Sequence, residues 1–89
     1  MKFNYDKLKQ KRILDALDLY CNTREIDTLN GSDFDTIRLG NGFTFIVKNG
    51  ELKYYGGLLK YNVQQLSNLN KIMKILQTAI TLECPVFEN

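Results

Sequence analysis

Few residues in this chain can do chemistry. Asp15 and Asp18 stand three apart in a helical stretch, while Asp33 and Asp35 fall on one side of an extended one. Each pair offers two carboxylates of the kind that hold Mg²⁺. No third ligand, Gly-rich phosphate loop or general base accompanies either pair. The 89 residues include no histidine, no tryptophan and two cysteines. That removes His-based acid/base catalysis, the Ser-His and Cys-His nucleophile pairings, and Cys/His zinc sites. Cys21 and Cys84 lack C-x-x-C spacing, which excludes a thioredoxin-like redox pair. Both are expected to be reduced, partly buried small hydrophobes, with a bridge between them as the alternative. The expectation is a protein with no catalytic residues, no metal and no cofactor.

Length and charge narrow the classes further. A chain this short forms one domain, burying roughly 60 to 65% of its unfolded surface, with a stability of about 4 to 13 kcal/mol. Hydrophobic residues make up 44%, charged residues 25%, and there is a single proline, a composition that is neither disordered nor a disulfide scaffold. Twelve Lys/Arg against ten Asp/Glu give +2, far below the charge density of a dedicated nucleic-acid binder. The N-terminus has no apolar run after its first lysine, and no window approaches 18 uncharged apolar residues. A cytoplasmic protein with no membrane contact is the expectation.

The elements that position these residues follow from periodicity and turn chemistry. Ile13, Ala16, Leu17, Tyr20 and Cys21 share one face of a helix predicted over about residues 4 to 21, capped by Asn4 or Asp6. Leu8 and Leu19 fall off that face, so either the helix is broadly buried or its first turns are displaced. Its charges oppose its dipole: Lys7, Lys9, Lys11 and Arg12 come early, Asp15 and Asp18 late.

Asn30-Gly31, Asn41-Gly42 and Asn49-Gly50 are hairpin signals. A two-residue Asn49-Gly50 turn pairs Lys48 with Glu51, Val47 with Leu52, Ile46 with Lys53, Phe45 with Tyr54 and Thr44 with Tyr55. A three-residue Gly40-Asn41-Gly42 loop pairs Leu39 with Phe43 and Ile37 with Phe45. It puts every apolar residue on one face, which a two-residue loop fails to do. Gly42 is then the left-handed residue. A further strand around Arg24 to Leu29, turning at Asn30-Gly31, is the alternative to an irregular loop. Asp35 is the one polar misfit on the apolar face, expected at the sheet edge, capping or paired with Arg24.

Gly56-Gly57 ends the sheet. A helix from about Asn62 to Glu83 follows, with Asn62 and Gln65 spaced as a capping-box variant and Pro85 closing it. Leu66, Leu69, Met73, Leu76 and Ile80 make a seam along it; Ile72, Ile75, Ala79 and Leu82 make a second stripe in its C-terminal half. The fold class is α+β: one antiparallel β-meander of three or four strands, with an N-terminal and a C-terminal helix packed on one face (α-β-β-β-α).

Three surfaces remain for binding. The open sheet face carries Thr36, Arg38, Thr44, Ile46, Lys48, Glu51, Lys53 and Tyr55. Its Arg38, Thr44, Lys48, Lys53 and Tyr55 form the candidate partner site, suited to a protein or to single-stranded nucleic acid. The second surface is the basic helix start, Lys2, Lys7, Lys9, Lys11 and Arg12, which spreads around the helix. The third is the second stripe of the last helix, expected to be buried against the first helix; if that helix crosses elsewhere, Ile72, Ile75 and Leu82 are a candidate self-association stripe.

The α-β-β-β-α order resembles double-stranded RNA binding domains. Tyr61-Asn62-Val63-Gln64-Gln65-Leu66-Ser67-Asn68, with only Lys60 adjacent, lacks their lysine-rich phosphate clamp, so that function is not implied. In size, element order and Asn/Lys/Ile-rich composition the chain also resembles small phage proteins of low-GC bacteria, including anti-CRISPR inhibitors. The expectation is a non-enzymatic protein that occupies a surface of a larger protein partner, possible forms being an inhibitor of that kind. The alternatives are an RNA- or DNA-binding module using the open sheet face, and a helix-mediated homodimer in place of a monomer.

Overall fold

The computed structural model describes residues 4–56 and 63–83. Asn49 and Gly50 both take positive φ, 55° and 79°, a turn whose twist matches the strands it joins. It links β3 (Thr44–Lys48) to β4 (Glu51–Gly56) and sets Val47 opposite Leu52, Ile46 opposite Lys53 and Phe45 opposite Tyr54, as alternation requires. At the far end the register slips. Thr44 pairs with Gly56, so the expected Thr44–Tyr55 pair does not form and Tyr55 is the extra residue of a bulge. Gly56, at φ 156°, permits the slip with a backbone geometry that side chains disfavour.

Between β2 (Asp35–Leu39) and β3 the loop has three residues: the Leu39 N–H donates to the Phe43 carbonyl at 2.8 Å, and Gly42 sits at φ 102°. Ile37 faces Phe45 as expected. The fourth strand exists. β1 (Ile26–Leu29) pairs antiparallel with β2, from Ile26 opposite Leu39 to Leu29 opposite Thr36. Asn30-Gly31 is only the start of its connection, since that register leaves Asn30 through Asp35 between the paired residues. The Gly31 N–H donates to Asp35 Oδ1 at 3.1 Å, which closes the loop. The sheet order is β1-β2-β3-β4.

One sheet face is apolar and buried: Ile26, Ile37, Leu39, Phe43, Phe45, Val47 and Leu52. Phe43, Phe45 and Tyr54 meet edge to face, with centroids 5.8 to 6.4 Å apart. Such pairs add roughly 0.5 to 1.5 kcal/mol each beyond area burial.

The N-terminal helix is not continuous. A 3-10 helix runs over Tyr5–Lys9, capped by Asn4, whose side chain accepts the Asp6 N–H. Gln10 is extended, and α1 covers Lys11–Cys21. At three residues per turn Tyr5 and Leu8 point the same way, and both are buried. The displaced first turns thus account for Leu8, while Leu19 is simply exposed at 76%. Leu17 and Cys21 enter the same core as Phe45.

The long helix α2 (Val63–Glu83) packs on β4, α1 and the 3-10 helix. Its buried line is Leu69, Ile72, Leu76 and Ile80, which runs between the two expected stripes and draws on both. Leu66 is therefore outside the core. Ile72, at 0% exposure, offers no surface for self-association. Two amides set this rotation. Asn68 Nδ2 donates to the Tyr20 carbonyl at 2.9 Å, tying α2 to the end of α1. Gln77 Oε1 accepts the Leu52 N–H at 2.8 Å while its Nε2 donates to the Gly50 carbonyl at 2.9 Å. The expected cap Asn62 and stop Pro85 lie outside the described residues, as do Lys2, Lys60 and Cys84.

Candidate binding surface

Both helices cover the apolar face, so the opposite face of the sheet is open. Strand alternation places Arg38, Thr44, Ile46, Lys48, Glu51 and Lys53 there. Arg38, Lys48, Glu51 and Lys53 are exposed, Thr44 and Ile46 half-buried. Tyr55 is 72% exposed. The register thus brings Arg38, Thr44, Lys48 and Lys53 onto one surface, with Tyr55 exposed at the bulge next to Thr44.

β1 adds two groups that sequence reasoning missed. Asp27 stands opposite Arg38, and Leu29, 70% exposed, stands opposite Thr36. Leu29, Thr36, Ile46 and Lys53 then form a row across all four strands. Phe34, in the loop after β1, is also exposed. The charges are complementary in sign: Lys53 Nζ lies 3.5 Å from Glu51 Oε1 along β4, and Arg38 faces Asp27 across the β1–β2 pair. The surface is nearly balanced in charge, with Leu29 and Ile46 as apolar components.

Asp15, Asp18 and Asp35 are engaged elsewhere. Arg24 ion-pairs with Asp15, and its Nε lies 3.4 Å from Asp18 Oδ2; Lys11 Nζ lies 2.8 Å from the other Asp15 oxygen. The Lys11 ammonium, with the Arg24 guanidinium, holds the Asp15 carboxyl below the usual aspartate range. Asp15 in turn pushes Arg24 up. The late acids of α1 therefore face a cation supplied by the following segment, which offsets their unfavourable place on the dipole. Asp35 takes neither Mg²⁺-type nor Arg24 geometry: Tyr5 donates its hydroxyl to Asp35 Oδ2 at 2.7 Å. That corrects the expected Arg24 partner, while the capping alternative holds through Gly31. Among the described residues no three His, Cys, Asp or Glu side chains converge as a metal site would require.

Cys21 is free and buried, and its thiol donates to the Leu17 carbonyl. Burial pushes that thiol above the ordinary cysteine range. No helix among the described residues is long and apolar enough to cross a membrane. No family model, curated protein or solved structure matches the chain.

Proposed function

We propose that this chain is a non-catalytic binding protein whose open sheet face occupies a surface of a larger protein partner. The observation that carries the reading is the composition of that face: Leu29 and Tyr55 exposed at 70% and 72%, Ile46 between them, and Arg38 alongside. Tyr and Arg are the usual anchors of protein interfaces, and exposed apolar groups ringed by polar ones mark partner sites. Charge balance favours protein over nucleic acid. A phosphate-binding surface needs unopposed cations, whereas here Asp27 and Glu51 stand beside Arg38 and Lys53. Alternating signs on a flat face suit a partner with complementary charges, giving register and specificity. An inhibitor that masks its target is the most concrete form of this reading.

The test is affinity capture from the native host with the wild-type chain and with Arg38, Lys53 and Tyr55 all replaced by alanine, identifying proteins and nucleic acids alike. A protein captured by the wild type and lost by the variant, at similar melting temperature, supports the reading. Retention by the variant, or capture of nucleic acid alone, refutes it.

A further inference from the structure

The cleft between α1 and α2 forms a second surface, a groove of about 420 Å³ to which no residue of the open sheet face contributes. Its floor is apolar: Ile13 and Tyr20 come from α1, and Ile75, Ala79 and Leu82 from α2. Leu82 is 64% exposed. Arg12, Lys71 and Lys74 line the groove and are exposed, and Lys71 Nζ lies 5.3 Å from the centre of the Tyr20 ring. Among the described residues no carboxylate lines it. Cations thus stand on both helices around an apolar strip, and no carboxylate among the described lining residues opposes them.

We infer that this groove docks an acidic amphipathic helix of a protein partner, with its apolar stripe on Ile13, Ile75, Ala79 and Leu82 and its Asp/Glu flanks against Arg12, Lys71 and Lys74. Helix-in-groove recognition reads apolar side chains at i, i+3 or i+4 and i+7, and two neighbouring helices present a matching seat. Charge complementarity selects the occupant. A second copy docking through α2 would bring the same lysines against these, because the exposed positions among the described side chains of that helix are Gln, Ser, Asn, Lys and Thr apart from Leu66 and Leu82. Like charges disfavour that pairing. Among the described lining residues nucleic acid would find cations but a single aromatic ring, Tyr20, on which to stack. A small amphiphilic anion would leave much of its chain wet against a floor as exposed as Leu82, where small-ligand sites bury most of the ligand.

The probe is a synthetic helical peptide with leucines at that spacing and glutamates on its flanks, titrated into the full-length protein and followed by backbone amide shifts and by anisotropy. A matched peptide with glutamine for glutamate, laurate and a single-stranded oligonucleotide are the controls. Amide shifts centred on Ile13, Ile75, Ala79 and Leu82 are expected with the glutamate peptide. Arg12→Glu/Lys74→Glu should weaken it about tenfold or more. Lys48→Glu/Lys53→Glu, which changes net charge equally but lies on the sheet, should leave it nearly unchanged. Should the first pair fail to fold, Arg12→Gln/Lys74→Gln gives the same direction with a smaller change. The inference is overturned by equal affinity for the glutamine peptide, by shifts confined to the sheet, by no binding, or by tighter binding of laurate or oligonucleotide in the groove. Shifts confined to the sheet would move the binding to the face proposed above, whereas the other outcomes leave the reading of that face untouched.

Discussion

Gln77 offers the sharpest test of how the helix and sheet are joined. β4 is an edge strand, so its outward-facing backbone groups need partners. The Gln77 amide acts as a one-residue substitute strand, accepting from the Leu52 N–H at 2.8 Å and donating to the Gly50 carbonyl at 2.9 Å. Gln77→Ala removes both bonds. Neutral hydrogen bonds contribute about 0.5 to 1.5 kcal/mol each; with water partly replacing them at this half-buried position, the expected loss is about 1 to 2 kcal/mol. That lowers Tm by roughly 4 to 16 °C in a domain of this size. Gln77→Glu separates the two bonds. Its carboxylate still accepts from Leu52 but faces the Gly50 carbonyl with a second acceptor, so the folded state favours the protonated acid and its pKa rises above the unfolded value. The stabilising donor is therefore present below the ordinary glutamate pKa, about 4.3, and is lost as pH rises through the raised folded value. Thermal melts of wild type, Gln77→Ala and Gln77→Glu from pH 4 to 8, with hydrogen exchange of the Leu52 amide, measure this. Gln77→Glu should approach wild type at pH 4 and fall to or below Gln77→Ala at pH 8. A pH-independent gap between Gln77→Glu and wild type, or no loss in Gln77→Ala, would refute the reasoning.

Three further outcomes are expected. Ile72→Ala should cost about 2 to 5 kcal/mol because the side chain is fully buried, whereas Leu66→Ala should cost under about 1 kcal/mol; equal losses in denaturant titrations would contradict the rotation of α2. Arg24→Ala should move the Asp15 pKa back toward the ordinary range in a carboxyl NMR titration, and Lys11→Met should move it at least as far. Because that pKa is depressed in the fold, its contribution is complete above the ordinary aspartate value and vanishes as pH falls through the folded one, so the stability gap between wild type and Arg24→Ala should close in acid. In a Cys84→Ser background Cys21 should react with a thiol reagent at neutral pH only as fast as the protein opens, since burial keeps it protonated; labelling at the rate of a free thiol would contradict its placement.

What the sequence revealed and what it hid divide along the range of the interactions. The Asn49-Gly50 turn, the three-residue loop before Phe43 and the pairings of β3 and β4 up to Phe45 follow from local turn chemistry and a period of two. The Thr44–Gly56 slip was not legible, because nothing in an alternating pattern marks which glycine will absorb a bulge. β1 was ambiguous for a different reason: Ile26 and Leu29 are both apolar but point to opposite faces, so periodicity assigns no inside. Asp27 was missed with it. Asp35 found its partner in Tyr5, thirty residues away, a distance over which spacing carries no information.

The same reasoning explains how the rotation of α2 is set and why that matters for binding. Its sequence carries two apolar stripes whose combined width spans half the helix, so the hydrophobic pattern leaves the rotation undetermined within that arc. Polar groups decide it, because an amide left unpaired at the interface costs more than a modest shift in apolar burial. Asn68 must reach the end of α1 while Gln77 reaches the β3–β4 turn. With both satisfied, Ile72 turns fully inward, while Ile75, Ala79 and Leu82 are left at the boundary facing α1. Lys71 and Lys74 come with them on the next positions around the wheel. The basic apolar groove is thus a by-product of two anchoring amide side chains on opposite sides of the helix. A variant that breaks both, Asn68→Ala/Gln77→Ala, should perturb groove amides as well as those of β4, whereas a groove formed independently of the rotation would show shifts at β4 and the end of α1 alone.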